Sequence, residues 1–439
     1  MAHVLYVAWG FPPHRGPGTY RPLATVNELA RRGHDVTVLT ADTDAFDLLV
    51  GADHSLVARI DPRVRLHRVR FAGVLHDPLL DRWPPARVAD PPGWRDATVE
   101  KLFATIPDAA YAPWLTPALA AATRIHERQP VDLTIATGNP YVDFAVAWSL
   151  FLDDGVPFVV DDRDSWLLDV YTGEPQNDAE AVLPWLRAIA RDATQVWFVN
   201  PPIAQAHERA LPEVAGRIRV VENGWDPSFL DVGEVDSVHE SRTASDPLRV
   251  AFVGTVSPAL PLRTMAEAFR TARASSPALA GATFQVAGQL GHAGLGSAEQ
   301  RAVAREFADD GVQLTGRVPK DRIHEVYANA DVLVFAKEGG GLVTSGKVYE
   351  YLATGLPVAS MIEAEHDARR VLTGYPRWHN AGATTAPALA EALVAAAADA
   401  RTPGRREAAR AHAVALRRDV VLRRAFDELE AELGWEAAP

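Results

Sequence analysis

Residues 337–358 read KEGGGLVTSGKVYEYLATGLPV, following the apolar run Val332 to Phe335 and running into Val358 to Ser360. A strand, a glycine loop, a helical pattern and a second strand in that order predict a βαβ unit and hence a parallel sheet. Gly339, Gly340 and Gly341 carry no Cβ, so their backbone N–H groups can come close to an anion. Ser345, Gly346 and Lys347 lead into Val348, Tyr349, Glu350, Tyr351 and Leu352, which places that anion at a helix N-terminus, where backbone donors and the macrodipole favour negative charge. Glu350, about one turn in, suits the diol of a sugar better than a second anion. Phosphate and ribose together suggest a nucleotide. The plainer reading, a strand-to-helix connection with no ligand, stays open on this segment alone, and no Walker G-x-x-x-x-G-K-[ST] pattern occurs there. The lysines add weight: the chain has only four against 40 arginines, and Lys337 and Lys347 bracket this one run.

Composition narrows the classes. At 439 residues two domains are expected, and 48% apolar content with 11 Trp and 15 Phe is ample for packed cores. A formal charge of −13 speaks against nucleic acid as a partner. With no cysteine there is no disulfide, thiol catalysis or cysteine-ligated metal. No signal peptide or membrane helix is expected, so stable membrane insertion is not anticipated and a cytoplasmic location is. The excess of arginine over lysine fits a GC-rich genome.

The two halves share one grammar. Val4 to Trp9 is a strand candidate, Gly10 to Gly18 a loop, then a helix to Arg32 and a strand at Val36 to Leu39. Leu248 to Val253, Gly254 to Leu262, Arg263 to Ala274 and Thr283 to Ala287 repeat that order. Other strand candidates are Leu133 to Ala136, Phe158 to Asp161, Val196 to Val199 and Val220 to Val221. The expected fold is α/β, with two Rossmann-like domains. Residues 1–230 form the first and 248–415 the second, with a polar linker at 231–247. A helical segment, 416–439, packs back across the seam. Residues 71–116, with Trp83, Trp94 and Trp114 among prolines, read as an insertion in the first domain, either a pad over the core or an acceptor wall.

Six segments in order resemble the GT-B glycosyltransferases of the large retaining group, glycosyltransferase family 4. They are FPPHRGPGTYRPLATVNELARRGHDVTVLT (11–40), PFVVDDRDSW (157–166), IRVVENGWDPSFL (218–230), AFVGTV (251–256), GVQLTGRVPKDRIHEVYANADVLVF (311–335) and KVYEYLATGLPV (347–358). The resemblance implies two domains facing across a cleft, a nucleotide-sugar donor, a hydroxylated acceptor and no cofactor or metal. It implies that Glu350 binds ribose, with Gly339, Gly340, Gly341, Glu338, Lys337, Ser345, Arg317 and Thr255 as further donor contacts. Two features depart from the family pattern. Leu342 stands where many members carry a glutamate eight positions before Glu350. Thr255 and Val256 follow Gly254 where an arginine is common, so Arg263 and Lys347 are expected to clamp the diphosphate, with Lys337 in reserve.

Retention, as implied, needs no side-chain base; inversion would, and His14 is then the candidate. Asp162-Arg163-Asp164 spells D-x-D, the metal motif of the other glycosyltransferase fold, and is discounted because a second Rossmann-like unit follows. Asp164 is kept as a catalytic candidate, and Gly16, Gly18, Asn139, Asp162 and Arg163 as acceptor contacts. Arg59, Arg63, Arg65, Arg68 and Arg70 read either as a phosphate-greeting cluster or as a solvated strand face. The competing functions are a nucleotide-sugar epimerase or hydrolase on the same fold, and a non-catalytic partner subunit. A nicotinamide enzyme is disfavoured, since residues 16–21 read GPGTYR. Oligomeric state stays open.

Overall fold

The computed structural model describes residues 1–240, 243, 245–256, 261–288, 291, 297–337, 339–402 and 404–435. It divides into two compact units: residues 1–170, 174–222 and 422–439 form the first, residues 171–173 and 223–421 the second.

The first unit is built on seven strands: β1 (His3–Val7), β2 (Asp35–Ala41), β3 (Arg65–Val69), β4 (Leu133–Gly138), β5 (Phe158–Asp162), β6 (Gln195–Phe198) and β7 (Ile218–Val220). They run parallel in the order β3-β2-β1-β4-β5-β6-β7. Every residue of β1, β4, β5 and β6 is buried. Such near-continuous apolar runs are what a parallel sheet covered on both faces requires. Helix Tyr20–Arg31 covers it with Leu23, Val26, Leu29 and Ala30 on its buried stripe. Of the arginine-rich stretch, Arg65 and Arg68 lie in strand β3, at the sheet edge, so its solvated-face reading fits. Three of its arginines are engaged within the unit: Arg65 with Asp35 at 3.0 Å, Arg63 with Asp61 at 2.7 Å, and Arg68 with the Pro12 carbonyl at 2.7 Å.

Within 71–116, the helix Pro91–Phe103 buries no residue, while Ile106 and Trp114 are fully buried. Arg87 stacks over Trp83 at 3.8 Å and Trp94 at 4.9 Å. Near its end, Asp108 accepts from the backbone N–H groups of Tyr141 (2.7 Å) and Val142 (3.0 Å), capping helix Val142–Asp154.

The second unit holds β8 (Arg249–Val253), β9 (Thr283–Ala287), β10 (Val312–Gly316), β11 (Val332–Ala336), β12 (Val358–Met361) and β13 (Trp378–Asn380). Their order is β10-β9-β8-β11-β12-β13, again all parallel. This is the doubly wound order with its topological switch between β8 and β11, beyond whose carboxyl ends ligands bind in such sheets. One face is sealed by Met265 and Phe269 against Leu389 and Leu393, the other by Tyr327, Tyr349, Tyr351 and Leu352.

The division between units starts at Asn223, earlier than the polar stretch 231–247 suggests. Trp225, Leu230 and Val235 are buried in the second core, and that stretch carries helix Val232–Glu240, whose Asp236 pairs with Arg406 and Arg410. At the other end, helix Arg418–Glu432 passes into the first unit from Leu422. There Phe426 meets Trp197 at 5.7 Å, and Glu430 binds Arg32 at 2.6 Å and His34 at 3.0 Å.

Candidate functional site

Helix Gly346–Thr354 follows β11 through the glycine loop and starts at Ser345, whose side chain accepts from the Lys347 N–H. Gly339 and Gly340 adopt φ of +63° and +79°, a region a side chain would resist. The Gly340 N–H is donated to the Tyr171 carbonyl at 3.1 Å, so it is not among the loop amides left for an anion. Glu338 lies outside the described residues. Arg317 and Thr255 are exposed in the turns after β10 and β8.

Glu350 is the centre of the arrangement. Lys320 donates to its Oε1 at 2.5 Å, and Lys347 and the Tyr327 hydroxyl donate to its Oε2 at 2.8 and 2.7 Å. Burial alone would raise its carboxyl, but Lys320 and Lys347 outweigh that and hold it well below the usual carboxylate range. Burial lowers Lys320 to about 8, still above neutrality, so it faces the Glu350 carboxylate as an ammonium at pH 7. A carboxylate has roughly four lone-pair sites, and three are filled, which leaves about one for a ribose hydroxyl. Lys320 and Tyr327 were not among the residues expected here. Lys320 is a third of the four lysines, so the rarity that singles out Lys337 and Lys347 could have found it.

Arg263, expected in the clamp, lies in the first turn of helix Leu262–Ser275 and pairs with Glu306 at 2.8 Å. The structure brings Lys347 to Glu350 and does not bring Arg263 there. Lys337 is partly buried, with its Nζ 5.3 Å from the Tyr171 ring, and burial lowers its pKa. Among the described residues it has no carboxylate partner.

In the first unit, His14 packs edge-on to Trp9 at 5.8 Å and places Nδ1 2.7 Å from the Thr19 hydroxyl. That hydroxyl donates its one proton to the His14 carbonyl at 2.9 Å, so it must accept from Nδ1–H, and Nε2 keeps the lone pair. Burial, with Arg163 and Arg15, lowers His14 to about 4. The imidazole is neutral at pH 7 and a weak base. A Cβ at Gly16 would run into the His14 ring, and one at Gly18 would sit 2.8 Å from Arg163 Nη1. Their expected acceptor role therefore has a steric explanation as well.

Arg163 donates to the carbonyls of Gly138 (2.7 Å), Gly18 (3.0 Å) and Asn139 (3.2 Å), tying together the loops after β1, β4 and β5. Asn139 and Asp164 are exposed. Asp162 is fully buried; its Oδ2 accepts from the Trp166 N–H at 3.3 Å while Oδ1 has no partner, and burial raises it to about 7. The neighbouring Asp161 is instead paired with Arg21 at 2.8 Å, and Arg21 also reaches the Val221 carbonyl. The two halves of D-x-D, buried Asp162 and exposed Asp164, thus lie in unlike surroundings, and among the described residues no group of three or more His, Asp or Glu is placed to hold a metal ion. No described helix is long and apolar enough to cross a membrane.

The chain matches two family models: the glycosyl transferase 4-like domain over residues 15–224 and glycosyl transferases group 1 over residues 247–399. No curated protein matches it by sequence. Among solved structures it is similar to a sucrose-phosphate synthase from Thermosynechococcus elongatus, with 19% identity, TM-score 0.65, and 99% of this chain and 100% of that one covered. It is similar to Anabaena HepE in complex with UDP, with 14% identity, TM-score 0.61, and 98% and 99% of the chains covered. A UDP-N-acetylglucosamine 2-epimerase assignment from Listeria monocytogenes follows at 12% identity and TM-score 0.55, covering 99% and 97%. At these identities the structures speak for the fold alone. With both family models in sequence order on two parallel doubly wound sheets, the chain is a GT-B glycosyltransferase resembling glycosyltransferase family 4.

Proposed function

We propose that the protein transfers a sugar from a nucleotide-diphosphate donor to an acceptor hydroxyl, with retention and without a metal ion. The observation that carries this reading is the cluster at the end of the second sheet, where Lys320, Lys347 and Tyr327 hold Glu350 one helical turn beyond the glycine loop. In this reading Glu350 takes the ribose, and Lys347 and Lys337, with Arg263 released from Glu306, supply positive charge to the departing diphosphate. Cations in place of a metal are a sufficient source of that charge. Retention is supported by His14, which is too weak a base at about 4 to deprotonate an alcohol effectively at neutral pH. The solved relative that binds UDP makes a uridine nucleotide the first donor class to test. The first-unit groups Gly16, Gly18, Asn139, Asp162, Arg163 and Asp164 are proposed for the acceptor side. The acceptor is a soluble natural product or an aminosugar-containing glycan.

The test is to incubate the enzyme with UDP-glucose and UDP-N-acetylglucosamine, with and without candidate acceptors and EDTA, and to follow nucleotide release and the product anomer by NMR. Release that requires an acceptor, survives EDTA and gives the donor's own anomeric configuration supports the proposal. An inverted product refutes retention. Conversion of the nucleotide sugar with no acceptor present would favour the epimerase reading.

A further inference from the structure

Beyond the Glu350 cluster, the loop after β12 holds a histidine that no step described so far uses. His366 is 2% exposed. Its Nδ1 accepts from the Ala368 N–H at 3.1 Å, which fixes the ring as the Nε2–H tautomer. That Nε2–H is buried and has no hydrogen-bond partner. The ring sits edge-on to Phe335, near the carboxyl end of β11, at 6.2 Å. Its neighbour Asp367 is bonded to Thr344 and to Arg370, so the turn bearing His366 is fastened to the glycine loop itself. Lys337 lies close enough to help lower the imidazole, after burial, to about 4; the ring is neutral at pH 7 and donates only from Nε2.

Two donors therefore lie at the carboxyl ends of the adjacent strands β11 and β12 with no hydrogen-bond acceptor among the described residues: the Lys337 ammonium, just after β11, and the His366 N–H, whose ring packs on Phe335 of β11. A buried donor without an acceptor is costly, and a neutral N–H beside a cation makes a place for an anion. We propose that His366 Nε2–H and Lys337 together bind a phosphate oxygen of the donor's diphosphate. This rests on the nucleotide-sugar reading above and adds to it a residue outside the glycine-loop segment. Lys347 is then free to stay on Glu350, and Lys337 moves from reserve to the main diphosphate contact.

The experiment measures affinity of the full-length protein for uridine, UDP and UDP-glucose by calorimetry. It compares wild type with His366→Phe, which fills the space without a donor, and His366→Gln, which restores an N–H. Melting curves first establish that the variants are folded. The expected result is a loss of about 10- to 100-fold in UDP and UDP-glucose affinity in His366→Phe, no change for uridine, and substantial recovery in His366→Gln. Wild-type affinity for UDP in folded His366→Phe overturns the inference while leaving the donor reading standing. Weakened UDP-glucose with unchanged UDP also overturns it, by moving the contact to the sugar. A wild type that binds none of UDP, GDP, ADP and dTDP overturns both; where it binds one of the others, the same comparison is made with that nucleotide and its nucleoside. If His366→Phe does not fold, His366→Met, likewise without a donor, decides: wild-type UDP affinity overturns the inference, and a loss of about tenfold or more that His366→Gln recovers supports it.

Discussion

At Glu350 one oxygen receives two donors and the other one, and the consequences follow from that uneven load. Removing Lys320 leaves the mostly buried Oε1 with no side-chain donor among the described residues. Lys320→Met is expected to destabilise the fold by about 2–4 kcal/mol, somewhat below the range for a fully buried ion pair because the groups are partly exposed; urea melts check it. The cluster also has a pH signature. Glu350 has a depressed carboxyl, so its stabilisation is complete above its unfolded value of 4.5 and is lost as pH falls below that. His14 titrates the other way in origin but loses stability on the same side. Its folded value of about 4 lies below the unfolded 6.5, so the unfolded chain takes up the proton first. Wild type should therefore lose stability relative to His14→Asn as pH drops from about 6.5 to about 4, with a constant difference above pH 7. Melting both proteins across that range is the check.

Among the elements, the carboxyl ends of β4 and β5 are held by two arginines with different tasks. Arg21 neutralises Asp161 inside the first unit, and both are nearly fully buried, at 3% and 1% exposure. Arg21→Met leaves that carboxylate unpaired and should cost about 3–5 kcal/mol, whereas Arg21→Met with Asp161→Leu should recover most of it. A double-mutant denaturation cycle measures this. Arg163 spends its N–H groups on three backbone carbonyls. How much of this was legible beforehand depends on distance along the chain. The buried strands were readable because short runs rich in Val, Leu, Ile, Ala and aromatic residues mark β1, β4, β5, β8 and β11. The edge strand β3 was ambiguous, since charged and apolar residues alternate there. The reason for Gly18 was out of reach, because the side chain it accommodates lies 145 residues away. Lys320 was missed for the same cause: it meets Glu350 across 30 residues, and only the rarity of lysine hinted at it.

For the whole molecule, each unit closes its own sheet, and the last helix is shared in sequence between them. Phe426 is 1% exposed against Trp197, so Phe426→Ala should destabilise the first unit by about 3–5 kcal/mol. A first unfolding transition that shifts while the second stays in place would show that the loss is confined to that unit. The two-sheet architecture could be anticipated from the repeated strand–loop–helix order. The extent of the second unit could not, because Trp225 and Leu230, from the end of the stretch read as the first domain, and Val235, from the polar stretch 231–247, all enter its core. The central claim is that this fold presents a nucleotide site at Glu350. Calorimetric titration of UDP, GDP, ADP and dTDP into wild type and Glu350→Gln tests it most directly; glutamine keeps an acceptor for Tyr327 while removing the charge. One nucleotide binding wild type and losing about tenfold or more in the variant is the predicted result. Equal binding in both proteins, or none by wild type, would contradict it.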